Sequence, residues 1–263
     1  MEPVAGEHYH GRMIGMLEAI WGEGFLSPGG RDEVARLVAG SDSDLAGRSV
    51  LDIGCGAGGI DIALVQDHAA GFVCGIDVED TVLARARALV ARAGLGDRIG
   101  CIKVVPGPLP FPPGCFDIVF SKDSIVHIPD KAALMAEVFR VLRPGGRLVA
   151  SDWLIGHDRV PSAAMAEYIA AEGLDFGMAS PARYRAAMER AGFEAIVLAS
   201  RNAWYRDAAR IELARLEGPV GEAAAKIVGR DFVEENIGIW RRMIPVLDSG
   251  EHCPTHLSAR KPG

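Results

Sequence analysis

The sequence predicts a doubly wound α/β fold, a mostly parallel sheet roofed by a helical lid, and three observations carry that reading. Between Gly47 and Asp152 short apolar runs alternate with amphipathic stretches, as parallel strands covered by helices do. A glycine-rich turn joins the first apolar run to the stretch that follows it. Outside this unit the pattern becomes mainly helical, which supplies helices to cover the sheet edge where ligands bind in such folds.

Each element has its own signal. Residues 4–40 read as two helices hinged at Ser27-Pro28-Gly29-Gly30. In the core, 49–53 reads as a strand, 54–59 as a tight turn, 60–68 as a helix and 72–76 as a strand. Residues 80–93 form a helix with Val82, Ala86, Leu89 and Val90 at helical spacing, stopped by Gly94. Strands follow at 99–104 and 116–120, then a helix over 131–142 ended by Pro144-Gly145-Gly146, and a strand over 147–151. Two helices in 162–191 precede a strand at 194–199; helical stretches at 204–218, 220–229 and 231–247 precede a late strand at 255–259. The expected organisation is a helical segment over 1–46, an α/β core over 47–200 with an insertion at about 156–191, and lid helices with a final core strand over 201–263.

Composition narrows the function. The 263 residues are 49% hydrophobic and 24% charged, a globular balance for one or two domains of ~150 residues that excludes disorder as the main state. No apolar run approaches the ~18 residues of a membrane span. The first eight residues lack a basic start and an apolar core, so neither a signal nor a transit peptide is expected and the predicted compartment is the cytosol. Acidic residues outnumber basic ones by 35 to 28, which disfavours a nucleic-acid surface and makes a small molecule the expected partner. The five scattered cysteines contain no C-x-x-C pair, so neither a disulfide framework nor a zinc site is expected.

Gly54-Cys55-Gly56-Ala57-Gly58-Gly59 fits G-x-G-x-x-G, and Asp77 ends the next strand 18 residues after Gly59. The glycines admit a ligand to the backbone and the carboxylate can hold both hydroxyls of a ribose, so dinucleotide and adenosine ligands both fit. Asp52, just before the turn, would repel a pyrophosphate but attract a ligand carrying an ammonium and a sulfonium; no Arg or Lys lies between Ser49 and Thr81 to offset it.

With Gly75-Ile76-Asp77, Phe116-Asp117-Ile118-Val119 and Leu142-Arg143-Pro144-Gly145-Gly146 added to Val50-Leu51-Asp52-Ile53-Gly54-Cys55-Gly56-Ala57-Gly58, the chain resembles the class I S-adenosylmethionine-dependent methyltransferases. The resemblance implies a seven-stranded sheet with a reversed C-terminal hairpin. It further implies S-adenosylmethionine as cofactor, S-adenosylhomocysteine as product, and cofactor contacts at Asp52, Gly54, Cys55, Gly56, Asp77, Val78 and Ser121. The chain departs from the family where an acid often holds the adenine amino group after the third strand: Val105 stands there. A nicotinamide oxidoreductase and a methyltransferase-like binding protein without turnover are the alternatives from other classes.

For the acceptor, Trp21-Gly22-Glu23-Gly24-Phe25-Leu26-Ser27-Pro28-Gly29-Gly30 is similar to the segment ahead of the core in phosphoethanolamine (phosphobase) N-methyltransferases. Ser121-Lys122-Asp123-Ser124-Ile125-Val126-His127 resembles both those enzymes and the sarcosine/dimethylglycine methyltransferases. The resemblance makes His127 one half of a catalytic His/Tyr pair whose tyrosine position falls on Leu17. From chemistry alone, methyl transfer is an in-line displacement that needs aligned partners and an unprotonated nucleophile. His127 is the candidate to remove an ammonium proton and Asp123 to orient the cation, against the alternative that His127 only caps or packs. Trp21, Phe25, Trp153, Tyr168 and Tyr184 are candidate cage aromatics, each with core packing as its alternative. Arg206, with Arg201, Arg210, Arg241 and Arg242, is a candidate anion clamp, against a solvated helix face. Glu172 and Leu174 stand where the phosphobase resemblance expects Arg and Tyr, which counts against a phosphate tail. The expected reaction is N-methylation of a small amine-containing metabolite, with small-molecule O- or S-methylation as the alternative.

Overall fold

The computed structural model describes residues 11–174 and 176–263, so the expected start of the first helix at residues 4–10 lies outside the described residues. The core runs β1 (Ser49–Ile53), α3 (Gly59–Gln66), β2 (Phe72–Asp77), α4 (Asp80–Arg92), β3 (Ile99–Lys103), β4 (Phe116–Lys122), a 3-10 turn (Ile125–His127), α5 (Lys131–Val141) and β5 (Leu142–Ile155). Helices α1 (Gly11–Trp21) and α2 (Gly30–Gly40) precede it. After it come α6 (Ala163–Glu172), α7 (Pro181–Ala191), β6 (Glu194–Ser200), α8 (Asn202–Leu216), α9 (Pro219–Val228), α10 (Arg230–Asp248) and β7 (His252–Arg260).

Among the described residues the strands form one sheet in the order β3-β2-β1-β4-β5-β7-β6. The first five are parallel, and β7 inserts antiparallel between β5 and β6. Period-two alternation drives the layering, because successive residues must point to opposite faces. Val50, Val73, Ile118, Phe120 and Val149 pack under α2, α3 and α4. Their neighbours Leu51, Cys74, Val119, Leu148 and Ala150 pack under α5 and α7. Both faces are covered, which is why these strands read as continuous apolar runs.

A third apolar cluster holds the remaining helices together: Met16 and Ile20 of α1, Met165 of α6, Ala209 of α8, Ala224 of α9 and Val246 of α10. The N-caps follow sequence chemistry, with Ser162 Oγ accepting from Met165 N, Ser180 Oγ from Arg183 N and an Asp130 carboxylate oxygen from Ala133 N. No helix of the described residues is long and apolar enough to cross a membrane.

The chain reverses direction in the sheet between β1 and β4, whose neighbours lead outward on opposite sides. A crevice at that switch point, outside the carboxyl ends of the strands, is where an α/β sheet binds its ligand.

Candidate active site

The glycine turn closes β1 as the sequence predicts. Gly54 N and Cys55 N both donate to Ile76 O, at 2.8 and 3.0 Å, which ties the turn to the end of β2. Gly54 has φ 78° and no room for a side chain, since a Cβ there would strike Ser124. Asp77 is fixed from two sides: its Oδ2 accepts from Gly56 N and its Oδ1 from Glu79 N, both at 3.0 Å. Burial raises the Asp77 carboxyl above the ordinary range, and these amide hydrogen bonds oppose the shift.

Beneath the turn lies a pair of carboxyls that a soluble protein rarely buries. Asp52 in β1 and Asp61 in α3 are both fully buried, and none of their four oxygens has a geometric hydrogen-bond partner. Asp52 stands in register with Gly75, and a Cβ on Gly75 would strike the Asp61 carboxyl, so the glycine makes the space that Asp61 occupies. Burial pushes Asp52 up to about 7, with Asp61 opposing the shift, and burial with the charge of Asp52 raises Asp61 well above the ordinary carboxyl range, so Asp61 is the one that keeps its proton and supports an anionic Asp52. A buried carboxylate without a cation fits a ligand that brings an ammonium of its own. Asp52, the glycine turn and Asp77 would thus hold the amino acid and ribose ends of S-adenosylmethionine.

A second turn, Ser121 to Ser124, is fastened to the first. Ser121 Oγ donates to Ile53 O at 2.8 Å and Ser124 Oγ to Gly54 O at 3.1 Å. Between them Lys122 is buried and donates to Ser27 Oγ (2.6 Å), Pro28 O (3.0 Å) and Asp123 Oδ2 (2.7 Å). This ammonium holds the Ser27-Pro28 loop over the glycine turn, where Gly59 N also donates to Gly24 O at 3.0 Å. Asp123 adopts φ 57° and accepts from Ser151 Oγ at 2.8 Å through Oδ1. Its charge bears on the Tyr205 hydroxyl, which burial chiefly raises, and on the His252 ring, which burial lowers to about 4.

Behind that turn is a small cavity of about 40 Å³. Leu17, Trp21, Leu26 and Pro28 line it from the N-terminal segment, Trp153 from β5, and Glu172 and Leu174 from the end of α6 and just beyond. Tyr205, Asn236, Trp240 and Met243 close the far side. The indoles are held in place: Glu212 accepts from Trp21 Nε1 at 2.6 Å and from Trp240 Nε1 at 3.2 Å, the two rings being 6.0 Å apart. Trp153 Nε1 and the Tyr168 and Tyr205 hydroxyls are buried without a geometric hydrogen-bond partner, as is Nε2 of His252, whose ring packs against all three. Burial pushes Glu172 up to about 7, with the neighbouring Tyr168 hydroxyl pulling the other way.

The candidate residues therefore separate. Asp52, Gly54, Cys55, Gly56, Asp77 and Ser121 converge at the switch point, and Val78 lies exposed at its rim. Trp21 and Trp153 line the cavity and Tyr168 stacks behind it. Three do not come to the site. Tyr184 is buried in the core under α7 with its hydroxyl on Asp152, because an apolar helix face needed a large side chain and Asp152 offered an acceptor. Phe25 fills the α2–α3 core beneath its own loop. Arg206 pairs at the surface with Asp248 at 3.0 Å, the solvated face of an amphipathic helix.

His127 is held on the 3-10 turn, which Asp152 fixes through Val126 N and Lys131 through the carbonyls of Ile125 and Ile128. Its Nδ1 lies 2.9 Å from Leu174 O, and its ring contacts Phe176, which in turn contacts Trp153. The imidazole thus stands behind the cavity wall rather than in it. Sequence reasoning missed Lys122, Asp61, Glu212 and Asn236. Only Asp61 carried a signal, a lone acid among Gly59, Ile60, Ile62 and Ala63 in the first turn of an otherwise apolar helix.

Val105 is 76% exposed beyond β3, and Val104 N donates to Asp77 O at 2.9 Å, which holds this segment beside Asp77. Val105→Asp is expected to tighten S-adenosylmethionine binding about three- to tenfold, the size of one added neutral-donor hydrogen bond. Calorimetry showing unchanged or weaker binding would place the adenine elsewhere.

The strand order with its reversed hairpin is that of a Rossmann-like methyltransferase fold. Residues 51–150 match the family model described as a methyltransferase domain. Phosphoethanolamine N-methyltransferase 3 of Arabidopsis thaliana is 30% identical over 237 residues, 89% of this chain and 46% of that protein, so the chain spans about half the length of such relatives. The 27-O-demethylrifamycin SV methyltransferase of Amycolatopsis mediterranei is 31% identical over 75% of this chain and 78% of its own length. Haemonchus contortus phosphoethanolamine N-methyltransferase 2 superposes with a TM-score of 0.88 at 24% identity when bound to phosphomonomethylethanolamine and S-adenosylhomocysteine, covering 97% of this chain and 59% of that one. Bound to S-adenosylmethionine it superposes with a TM-score of 0.86 at 25% identity, covering 95% and 57%. The chain belongs to the S-adenosylmethionine-dependent methyltransferases of class I.

Proposed function

We propose that this chain transfers a methyl group from S-adenosylmethionine to the nitrogen of a small amine. The observation that carries the reading is the Ser121–Ser124 turn, which links two sites: its serines are bonded to the glycine turn, while Lys122 is bonded to Pro28 and the charge of Asp123 reaches Tyr205, both of which line the cavity. Donor and acceptor spaces that meet at one rigid turn supply the alignment that an in-line displacement needs.

The cofactor supplies a methyl group on a sulfonium; the nitrogen forms its new bond to that carbon as the carbon–sulfur bond breaks, and S-adenosylhomocysteine leaves. Leu26 and Pro28, lining the cavity from the loop that Lys122 fastens, exclude water from the junction. Asp123, held by Ser151 and Lys122, presents fixed negative charge to the amine as it becomes cationic. Glu172, which titrates near 7, is placed to take the proton that the nitrogen releases. His127 acts as a positioning residue, holding the Leu174 carbonyl and with it the wall beside Glu172.

Incubation with S-adenosylmethionine and a panel of primary and secondary amines is expected to release S-adenosylhomocysteine and yield N-methyl products identified by mass spectrometry. Oxygen as the acceptor is the second reading, favoured by the Amycolatopsis relative whose name describes an O-methyltransferase. Methyl ethers from a hydroxylated panel, with no amine product, would replace the first reading by the second.

A further inference from the structure

The acceptor cavity contains hydrogen-bonding groups and one carboxyl, but no cation. Among the described residues that line it Glu172 is the one ionisable acid, and none is Arg, Lys or His. The nearby cations are engaged elsewhere. Lys122 is surrounded by Ser27, Pro28 and Asp123. Arg201 makes two hydrogen bonds to Glu33 at 2.9 Å, and Arg206 and Arg210 pair with Asp248 outside the cavity. A phosphate or carboxylate taken into this space would be buried without a counter-charge and beside an acid, which disfavours it strongly.

The walls favour the opposite ligand. Trp21, Trp153, Tyr205 and Trp240 are aromatic wall residues, and Glu212 fixes two of the indoles so that they need not be ordered on binding. Ring faces attract an alkylammonium. The unpartnered Tyr205 hydroxyl and Trp153 Nε1, both buried and both on residues lining the cavity, mark a place where a ligand or water completes the hydrogen bonding.

Resting on the methyltransferase reading, we propose that the acceptor is a small amine with a short apolar body and no phosphate or carboxylate, its cationic head held by Glu172 inside the aromatic walls. This departs from a phosphobase or an amino acid as the acceptor.

The test is calorimetric titration of the full chain, saturated with S-adenosylhomocysteine, with isobutylamine, phosphoethanolamine and sarcosine. Isobutylamine is expected to bind, and the two anionic-tailed amines at least tenfold more weakly. Glu172→Gln is expected to weaken isobutylamine ten- to a hundredfold, the size of a charged hydrogen bond, while leaving S-adenosylhomocysteine affinity unchanged, which reports an intact fold. Glu172→Arg is expected to reverse the order of the three amines. Equal or tighter binding of phosphoethanolamine or sarcosine to the unaltered chain, no binding of isobutylamine, or an unchanged isobutylamine affinity in Glu172→Gln each overturns the proposal. Isobutylamine that binds but is not methylated when S-adenosylmethionine replaces the product leaves the pocket assignment standing and defeats the transfer reading instead.

Discussion

Asp123→Ala is expected to lower kcat by about 10²- to 10⁴-fold, while changing the affinity for S-adenosylhomocysteine less than tenfold. The carboxylate is held by Lys122 and Ser151 and its charge reaches Tyr205 of the cavity wall, so on the proposed reading it provides fixed charge near the amine as it becomes cationic. The cofactor contacts proposed at the glycine turn and Asp77 do not include it. Alanine would leave the Lys122 ammonium buried without an opposite charge, although Ser27 and Pro28 still accept from it, and some loss of thermal stability is expected. Asp123→Asn keeps one accepting oxygen for Lys122 but removes the charge, so it should lose most of the rate and less stability than alanine. His127→Ala provides the contrast. An imidazole behind the wall, bonded to the Leu174 carbonyl, should cost less than tenfold in kcat and leave the acidic limb of the pH profile where it is. Rate losses in the reverse order would restore His127 as the base.

Much of this layout was legible in the sequence because it is set by short-range rules. The turn between β1 and α3 needs positive φ at Gly54, Gly56 and Gly58, and only a glycine-rich string supplies that without strain. The strands read correctly because both faces are buried, which leaves continuous apolar runs between glycine and proline breaks. Pro144-Gly145-Gly146 misled the boundary of β5. The break reads as a turn, yet Leu142 already pairs with Phe116, and the register shifts by a bulge before Arg147 joins Ile118. The site residues divide along the same line. Asp52 and Asp77 are fixed by the motif that contains them. The side chains of the cavity come from α1, β5, α6, α8 and α10, which meet only through tertiary packing, and Tyr184 and Trp240 carry no local mark that tells a core ring from a pocket ring. Lys122 was hidden for a related reason: a lysine at a strand end ordinarily reaches solvent, whereas this one is capped by a loop nearly a hundred residues earlier in the chain.

Asp52→Asn should move stability and cofactor affinity in opposite directions. In the folded chain the Asp52 carboxyl titrates near 7, whereas in the unfolded chain it has an ordinary value of about 3.8. Between those two pH values the unfolded state has lost the proton and the folded state retains it. The Asp52 contribution to stability therefore falls as pH rises through this window, by roughly 1.4 kcal/mol per pH unit, and levels off above 7. Asparagine has no such proton to lose, and its amide oxygen can accept from a protonated Asp61. The variant should show a shallower decline between pH 4 and 7. At pH 8 its Tm without ligand should be several degrees higher, at ~2–4 °C per kcal/mol relieved for a chain of this size. The same substitution removes the buried anion that suits the cofactor's ammonium, so S-adenosylmethionine should bind about ten- to a hundredfold more weakly. The wild-type affinity should rise from pH 6 to 7.5 as Asp52 ionises, and that rise should be smaller in the variant. Thermal unfolding and calorimetry across that range check both halves. A variant less stable than wild type at pH 8, with unchanged cofactor affinity, would show that Asp52 is held by packing and that the glycine turn and Asp77 suffice for the cofactor.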